Sequence, residues 1–225
     1  MTAHYDTLKT QPRCLVVLLP GAADYGDAYI DEGFVKMIRD RNLSADVIAP
    51  DATIRYYLDG TVTTRLHDDL IGPAKQRGYE RTWLIGISMG GFGSLFYPSQ
   101  RAGEVDGVLA LAPYLGDEPM IRAIADAGGL AKWTPPAEAP TTKDNYQAQF
   151  WRWLRETQVE GKPGPTVWLG WGTEDGLGRA DGLLAQVLPK ERLLSAPGKH
   201  DWPPWKQMFA DFLARSPLAT DCAPR

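Results

Sequence analysis

The chain has 225 residues, of which 44% are hydrophobic and 23% charged, and this is the composition of an ordinary folded domain. Its net charge of −4 comes with no cluster of lysine and arginine, so neither nucleic acid nor an anionic membrane surface is an expected partner. Residues 1–13 are polar and lack the apolar core of a signal peptide, and no apolar run reaches membrane-spanning length. We therefore expect a single domain over residues 1–225, located in the cytoplasm, and the sequence leaves its oligomeric state open.

Short apolar runs alternate with helical patterns along the whole chain. The runs lie at residues 14–19, 45–49, 83–87, 107–111, 166–170 and 192–196. Such alternation predicts βαβ units, and hence an α/β fold with a mostly parallel central sheet of about six strands flanked by helices.

The two cysteines are far apart in the sequence. Cys14 begins the first apolar run and Cys222 lies in the C-terminal tail. This pattern suggests neither a disulfide framework nor a metal cluster, so we expect two passive thiols and no metal.

The first run leads into the turn Pro20-Gly21-Ala22-Ala23. In acyl-transfer enzymes of α/β type, the loop at this position supplies one of the two N–H donors that bind the oxyanion of the tetrahedral intermediate. Ala22 is the predicted donor, on condition that a nucleophile follows further along the chain.

A candidate nucleophile lies in residues 86–91, Gly-Ile-Ser-Met-Gly-Gly, between an apolar run and a helical segment. A serine at a sharp strand-to-helix turn projects its hydroxyl, and the glycines let the backbone segments cross closely. Ser88 is therefore the predicted nucleophile, and the N–H of Met89 is the predicted second oxyanion donor.

Residues 114–164 form a looser segment with a stretch rich in proline and alanine, which we interpret as a short helical insertion and a possible lid. Its second helical pattern presents one face that should dock on the body of the domain. The residues of this face are Tyr146, Phe150, Trp153, Leu154 and Thr157.

A serine hydroxyl needs a neighbouring base, and histidine has a suitable pKa. His4 lies in a polar arm, and His67 lies among charged residues where a solvated surface position is expected. His200 remains, in a loop between the last strand and a final helix that Pro203 and Pro204 can start.

The acid that orients this base should follow a strand and precede His200. Asp175 satisfies both conditions, and the order Ser, Asp, His is typical of α/β hydrolytic enzymes. Asp117, after an earlier strand, is the reserve candidate, while Glu174 and Asp201 are expected to be structural or solvated.

Three of the eight tryptophans, Trp133, Trp171 and Trp202, fall in predicted loops near the site or in the insertion. They are candidates for lining an acyl or alcohol pocket, although aromatic residues are more often part of a core.

Two pieces of the sequence resemble the putative esterase family of the α/β-hydrolase superfamily. They are Gly86-x-Ser88-Met89-Gly90-Gly91 and Gly198-x-His200-x-Trp202-x-x-Trp205. The resemblance spans roughly residues 15–213 and implies an α/β-hydrolase fold and ester hydrolysis without a metal or an organic cofactor. The chain departs from the family pattern in two places, because Pro20 stands where related enzymes carry histidine and the usual first two antiparallel strands are missing.

The predicted activity is hydrolysis of a small-molecule carboxylic ester through an acyl-enzyme on Ser88. A thioesterase or acyltransferase would use the same triad, and a non-catalytic binding protein on the same scaffold is the alternative from another class.

Overall fold

The protein is described by a computed structural model, which covers residues 1–224. Its seven strands form one sheet in the order β1-β3-β2-β4-β5-β6-β7. The strands are β1 (Ala3–Asp6), β2 (Cys14–Leu19), β3 (Ala45–Pro50), β4 (Arg81–Ile87), β5 (Gly107–Leu111), β6 (Thr166–Gly172) and β7 (Leu193–Ala196). All neighbours pair in parallel except β1 and β3, so the predicted mostly parallel sheet is confirmed.

Helices cover both faces of the sheet. They are α1 (Ala28–Asp31), α2 (Phe34–Asp40), α3 (Ile54–Leu58), α4 (Val62–Leu66), α5 (Gly72–Gln76), α6 (Met89–Gln100), α7 (Glu118–Asp126), α8 (Tyr146–Gln158), α9 (Gly178–Ala185), α10 (Trp202–Arg215) and α11 (Leu218–Asp221). A π-helical turn, His67–Ile71, joins α4 to α5, and a 3₁₀ turn, Lys190–Arg192, precedes β7. None of the helices described is long and apolar enough to cross a lipid bilayer.

The central strands are buried on both faces, and their alternate side chains enter two separate cores. Along β2, Leu15 and Val17 pack in the core with α4, α6 and α8, while Val16 and Leu18 pack in the core with α2 and α10. A parallel strand covered on both sides reads as a continuous apolar run, which explains why these strands were visible in the sequence.

The N-terminal strand β1 corrects the expectation that the initial antiparallel strands are missing. Residues 3–6 pair antiparallel with β3, and Tyr5 lies opposite Ile48. One such strand is therefore present. It was not predicted because four partly exposed, mostly polar residues carry no apolar run.

The cysteines also correct the sequence analysis, because Cys14 and Cys222 form a disulfide bond rather than two free thiols. The short helix α11 brings the C-terminal end of the chain to the start of β2, where Ser44 N–H donates to the carbonyl of Cys222 over 2.6 Å. A sequence separation of 208 residues gave no local signal of this contact.

The insertion contributes α7 and α8. Helix α8 docks through Phe150, Trp151 and Leu154, which are buried, and Trp151 Nε1–H donates to the carbonyl of Leu115 over 2.7 Å. The predicted docking face is thus confirmed at Phe150 and Leu154, and Trp151 adds to it. Movement of residues 114–164 as a lid stays a prediction.

Candidate active site

Ser88 joins β4 to α6 in a sharp turn. Its backbone angles are φ 55° and ψ −116°, a strained conformation for a residue with a side chain. A Cβ atom on Gly86 would lie 2.1 Å from the carbonyl oxygen of Gly90, and a Cβ atom on Gly90 would lie 2.0 Å from that of Leu19. Glycine is therefore required at both positions for the turn to form.

Backbone hydrogen bonds anchor this turn to the neighbouring strand β5. Ser88 N–H donates to the carbonyl of Leu111 over 2.9 Å, and the carbonyl of Ser88 accepts from Tyr114 N–H over 3.0 Å. Since β5 is itself buried in the centre of the sheet, these two bonds fix the backbone of Ser88 relative to the sheet.

The turn after β2 packs directly against Ser88. A Cβ atom on Gly21 would lie 3.8 Å from the Cβ of Ser88, so the loop that carries Ala22 borders the Ser88 turn. The N–H groups of Ala22 and Met89 donate to no acceptor within the part of the chain that the structure describes. Ala22 lies on the loop after β2 and Met89 lies at the start of α6, so the two predicted donors belong to the two segments that meet at Ser88.

His200 and Asp175 form a hydrogen-bonded pair. His200 Nδ1 lies 2.8 Å from Asp175 Oδ2, and the other carboxylate oxygen accepts Leu177 N–H over 2.8 Å. The Asp175 side chain is 0% exposed and that of His200 is 34% exposed. An ionised carboxylate only accepts hydrogen bonds, which assigns the proton to Nδ1 and leaves Nε2 as the free, basic nitrogen facing away from Asp175.

The two loops that carry this pair approach each other closely. A Cβ atom on Gly172, at the end of β6, would lie 2.3 Å from the carbonyl oxygen of Gly198, which also accepts Glu174 N–H over 2.9 Å. Asp201 accepts the N–H of Trp202 over 2.8 Å and caps α10. Asp201 has the structural role expected for it, and the backbone of Glu174 ties the two loops together.

The reserve acid Asp117 belongs to a different network. It lies at the N-terminus of α7, where its carboxylate accepts hydrogen bonds from the Tyr114 hydroxyl and from Gln147 Nε2, and these bonds lower its pKa. In the described residues it makes no bond with His200, and Asp175 occupies that place.

Within the described residues, the Ser88 hydroxyl forms no hydrogen bond, and His200 bonds through Nδ1 to Asp175. A chain of packed rings nevertheless joins the two regions. The imidazole of His200 meets Trp205 edge to face with centroids 5.0 Å apart, Trp205 meets Trp202, and Trp202 meets Tyr29. The Tyr29 hydroxyl then donates to the carbonyl of Leu19 over 2.7 Å, at the start of the loop beside Ser88.

The three candidate tryptophans are all at least half-buried. Trp202 is the first residue of α10 and packs edge to face against Tyr29 and Phe34, while Trp171 lies in β6 and contacts both cores. The predicted loop position is therefore wrong for these two residues, because the strand and the helix extend further towards the site than the sequence pattern indicated. Trp133 is buried in the core that contains α6. Their contact with a substrate stays a prediction.

His67 differs from the solvated histidine that the sequence suggested. It is half-buried in the π-helical turn, with Nδ1 3.1 Å from a Glu104 oxygen and 3.3 Å from the Tyr97 hydroxyl. The sequence around His67 is charged and suggested solvent exposure, whereas its partners Tyr97 and Glu104 are 30 and 37 residues away along the chain.

Sequence reasoning missed Asp181 altogether. This residue of α9 is fully buried, and its two carboxylate oxygens have no hydrogen-bond partner among the described residues. A polar residue between the buried Ala180 and Leu183 is the one signal that the sequence offered.

Comparison with known proteins places these observations in a family. A protein-family model described as "Putative esterase" matches residues 32–216, which is most of the chain and includes all three candidate triad residues. A search of curated protein sequences found no match.

Solved structures share the fold over nearly the whole chain. Fluorophosphonate-binding serine hydrolase F of Staphylococcus aureus has a TM-score of 0.61 at 16% identity, with 94% of this chain and 86% of that one covered. An S-formylglutathione hydrolase of Agrobacterium tumefaciens has a TM-score of 0.62 at 13% identity, with coverages of 98% and 95%. Est1E of Butyrivibrio proteoclasticus, bound to ferulic acid, has a TM-score of 0.62 at 17% identity, with coverages of 95% and 94%. The predicted α/β-hydrolase fold is confirmed.

Proposed function

Since this chain belongs to the putative esterase family, we propose that it is a serine esterase that cleaves small carboxylic esters with Ser88, His200 and Asp175 as its triad. The observation that supports this most directly is the buried Asp175 bonded to His200 Nδ1, on loops that follow strands of the same sheet edge as the strained Ser88 turn. Catalytic groups collect at this carboxyl edge in α/β proteins.

The first step is acylation. The Ser88 oxygen attacks the ester carbonyl while His200 Nε2 accepts the hydroxyl proton, which turns a weak nucleophile into an effective one. Asp175 keeps the ring in the tautomer with the proton on Nδ1 and stabilises the imidazolium that forms. His200 then transfers the proton to the leaving alcohol, and the C–O bond to that alcohol breaks.

The N–H groups of Ala22 and Met89 bind the oxyanion of the tetrahedral intermediate. Both belong to backbone segments that pack against each other around Gly90, so their positions are set before substrate arrives. Removing one such donor in a serine hydrolase costs about a hundredfold to a thousandfold in turnover.

Deacylation repeats the same chemistry with water. His200 takes a proton from the water molecule, the hydroxide adds to the acyl carbonyl, and Ser88 leaves with the proton that His200 returns. None of these steps requires a metal or an organic cofactor.

The test is covalent labelling followed by kinetics. We expect a fluorophosphonate probe to attach to Ser88, and Ser88→Ala to lower turnover of a short p-nitrophenyl ester by at least about a thousandfold. Ser99→Ala, at the other end of α6, is the matched control and should label and turn over like the wild type. Unchanged turnover in the folded Ser88→Ala protein would reject the proposal.

A thioesterase is the second candidate, favoured by the structural likeness to a protein named as an S-formylglutathione hydrolase. Thioesters would be cleaved by the same triad, so the two functions differ in substrate and not in machinery. Comparing kcat/KM for acyl-CoA and p-nitrophenyl esters of equal acyl length separates them. A protein that neither reacts with the fluorophosphonate probe nor cleaves either substrate would instead be a binding protein on this scaffold.

The cellular location predicted from the sequence was the cytoplasm. Disulfide bonds persist in oxidising compartments and are rare where thiols are kept reduced, so the Cys14–Cys222 bond favours an oxidising compartment over that prediction. Thiol counting on protein isolated without reductant would decide between the two.

A further inference from the structure

Asp181 is an unusual buried carboxyl. Its side chain has no solvent exposure, and within the described residues neither of its oxygens has a hydrogen-bond partner. It lies on α9 among Ala180, Leu183 and Leu184, which are buried. An ionised carboxylate in such surroundings is strongly disfavoured, so the group must hold a proton or reach a partner.

The place of Asp181 in the fold connects it to the proposed triad. Leu177 N–H donates to Asp175 Oδ1, and the Leu177 carbonyl accepts Asp181 N–H over 3.3 Å. Asp181 therefore lies one helical turn beyond the residue that holds Asp175. Burial, followed by the negative charge of Asp175, raises the pKa of Asp181 well above its ordinary value.

The other charged groups around α9 are either paired with one another or exposed to solvent. Arg179, on the same helix, pairs with Glu118 of α7, and Glu118 also pairs with Arg122. Asp126, near the end of α7, is exposed to solvent. Asp175, bonded in turn to His200, is the charged group that acts on Asp181.

We propose that Asp181 is a positioning residue for Asp175: it stays protonated in the working enzyme, and its neutral carboxyl donates a hydrogen bond towards the Asp175 carboxylate through one internal water. This inference rests on the proposed triad. Asp175 can accept further bonds beyond those from His200 and Leu177, since a carboxylate offers about four lone-pair sites. A neutral donor supports the buried anion without placing a second negative charge beside it.

Stability as a function of pH tests the protonation state. The unfolded chain releases the Asp181 proton near its ordinary pKa while the folded chain retains it, so wild-type stability should fall as pH rises above that value and until the folded pKa is reached. Asp181→Asn mimics the neutral acid and should lack this fall. The ratio of the two unfolding constants should therefore change in favour of the variant, by up to about tenfold per pH unit, as pH rises from the ordinary pKa of the carboxyl towards the folded pKa.

Asp126→Asn is the matched control, because it removes an exposed carboxylate from a neighbouring helix, and its curve should run parallel to that of the wild type. Parallel curves for Asp181→Asn and the wild type would overturn the protonated state. This measurement requires no substrate and is independent of the esterase proposal.

Kinetics test the positioning role. Asp181→Leu fills the volume but offers no hydrogen bond, and its kcat should fall between about tenfold and a hundredfold because the Asp175–His200 pair loses support. Asp181→Asn retains a hydrogen-bond donor, so its kcat should be close to that of the wild type. The acid limb of its pH profile of kcat/KM should lie at the same pH as in the wild type.

Two results would overturn the positioning role. One is wild-type kcat in a folded Asp181→Leu protein. The other is an acid limb displaced to lower pH in Asp181→Asn, since that shift would reveal a negative charge lost from the neighbourhood of His200. Fluorophosphonate labelling of the wild type is run alongside, and if Ser88 stays unlabelled the esterase proposal fails instead.

Discussion

Asp175 receives two hydrogen bonds on a side chain that is 0% exposed. Leu177 N–H binds one carboxylate oxygen and His200 Nδ1 binds the other, so the carboxylate plane and the imidazole orientation are set together. An asparagine at position 175 would carry no charge and would present either its N–H or its oxygen to His200. It would therefore no longer select the imidazole tautomer that leaves Nε2 basic.

Asp175→Asn should therefore lower kcat by about ten-thousandfold while the protein stays folded, as happens when the acid of a serine triad becomes an amide. The measurement is steady-state hydrolysis of a p-nitrophenyl ester with circular dichroism as a check on folding. Asp117→Asn removes a carboxylate bonded to Tyr114 and Gln147 and should cost far less. A larger loss from Asp117→Asn would show that the orienting acid had been misassigned.

The sequence predicted some of the site residues and not others. Ser88, Asp175 and His200 could be proposed because each follows an apolar run, and parallel strands end at a common edge. Asp181 could not, because its proposed role depends on burial and on the lack of a hydrogen-bond partner among residues 1–224, which are properties of three-dimensional packing. His67 was misjudged for the same reason, since its partners Tyr97 and Glu104 are distant in sequence.

At the scale of elements, the start of α6 is placed by close backbone approaches. A Cβ atom on Gly90 would lie 2.0 Å from the carbonyl oxygen of Leu19 and 2.5 Å from that of Pro20, so the helix that begins after Ser88 packs closely against the loop that carries Ala22. This contact sets the distance between Ser88 and the proposed oxyanion donors. A side chain at position 90 would force the two elements apart.

Gly90→Ala should for this reason destabilise the protein by about 1–3 kcal/mol, in the range of overpacked cores, and slow fluorophosphonate labelling of Ser88. Gly182→Ala is the control, because a Cβ atom on this helical glycine meets nothing within 4 Å. It should stabilise α9 by up to about 1 kcal/mol through helix propensity and leave labelling unchanged. Thermal unfolding and labelling rates of both variants provide the comparison, and wild-type behaviour of Gly90→Ala would contradict the placement of α6.

The predicted elements were most accurate where both faces of a strand are covered. Strand β2 is buried at every position, and its continuous apolar run in the sequence predicts a strand there. Strand β1 escaped prediction because it is held by backbone pairing with β3 at the edge of the sheet, where a short polar segment suffices. Helix α8 was predicted from its apolar face, but the burial of Trp151 depends on its hydrogen bond to Leu115.

At the scale of the whole molecule, the disulfide and the proposed active site lie at opposite ends of the sheet. Cys14 pairs with Arg81 at the beginning of β4, whereas Ser88 follows the end of that strand. Six residues of extended chain separate the two ends, which is about 20 Å. The bond ties the C-terminal helix α11 to the centre of the sheet and does not contact the edge that carries Ser88.

Reduction of this disulfide should consequently lower stability and spare catalysis. Loss of a cross-link that closes a long loop costs about 2–5 kcal/mol, so a Cys14→Ala/Cys222→Ala double variant should unfold at a clearly lower temperature than the wild type. Its kcat/KM at 25 °C should match that of the wild type, because the Ser88 turn is anchored by β5 and by the loop after β2. The oxidised wild type should show no free thiol in the denatured state, and detection of two thiols, or an unfolding temperature indifferent to reductant, would contradict the bond.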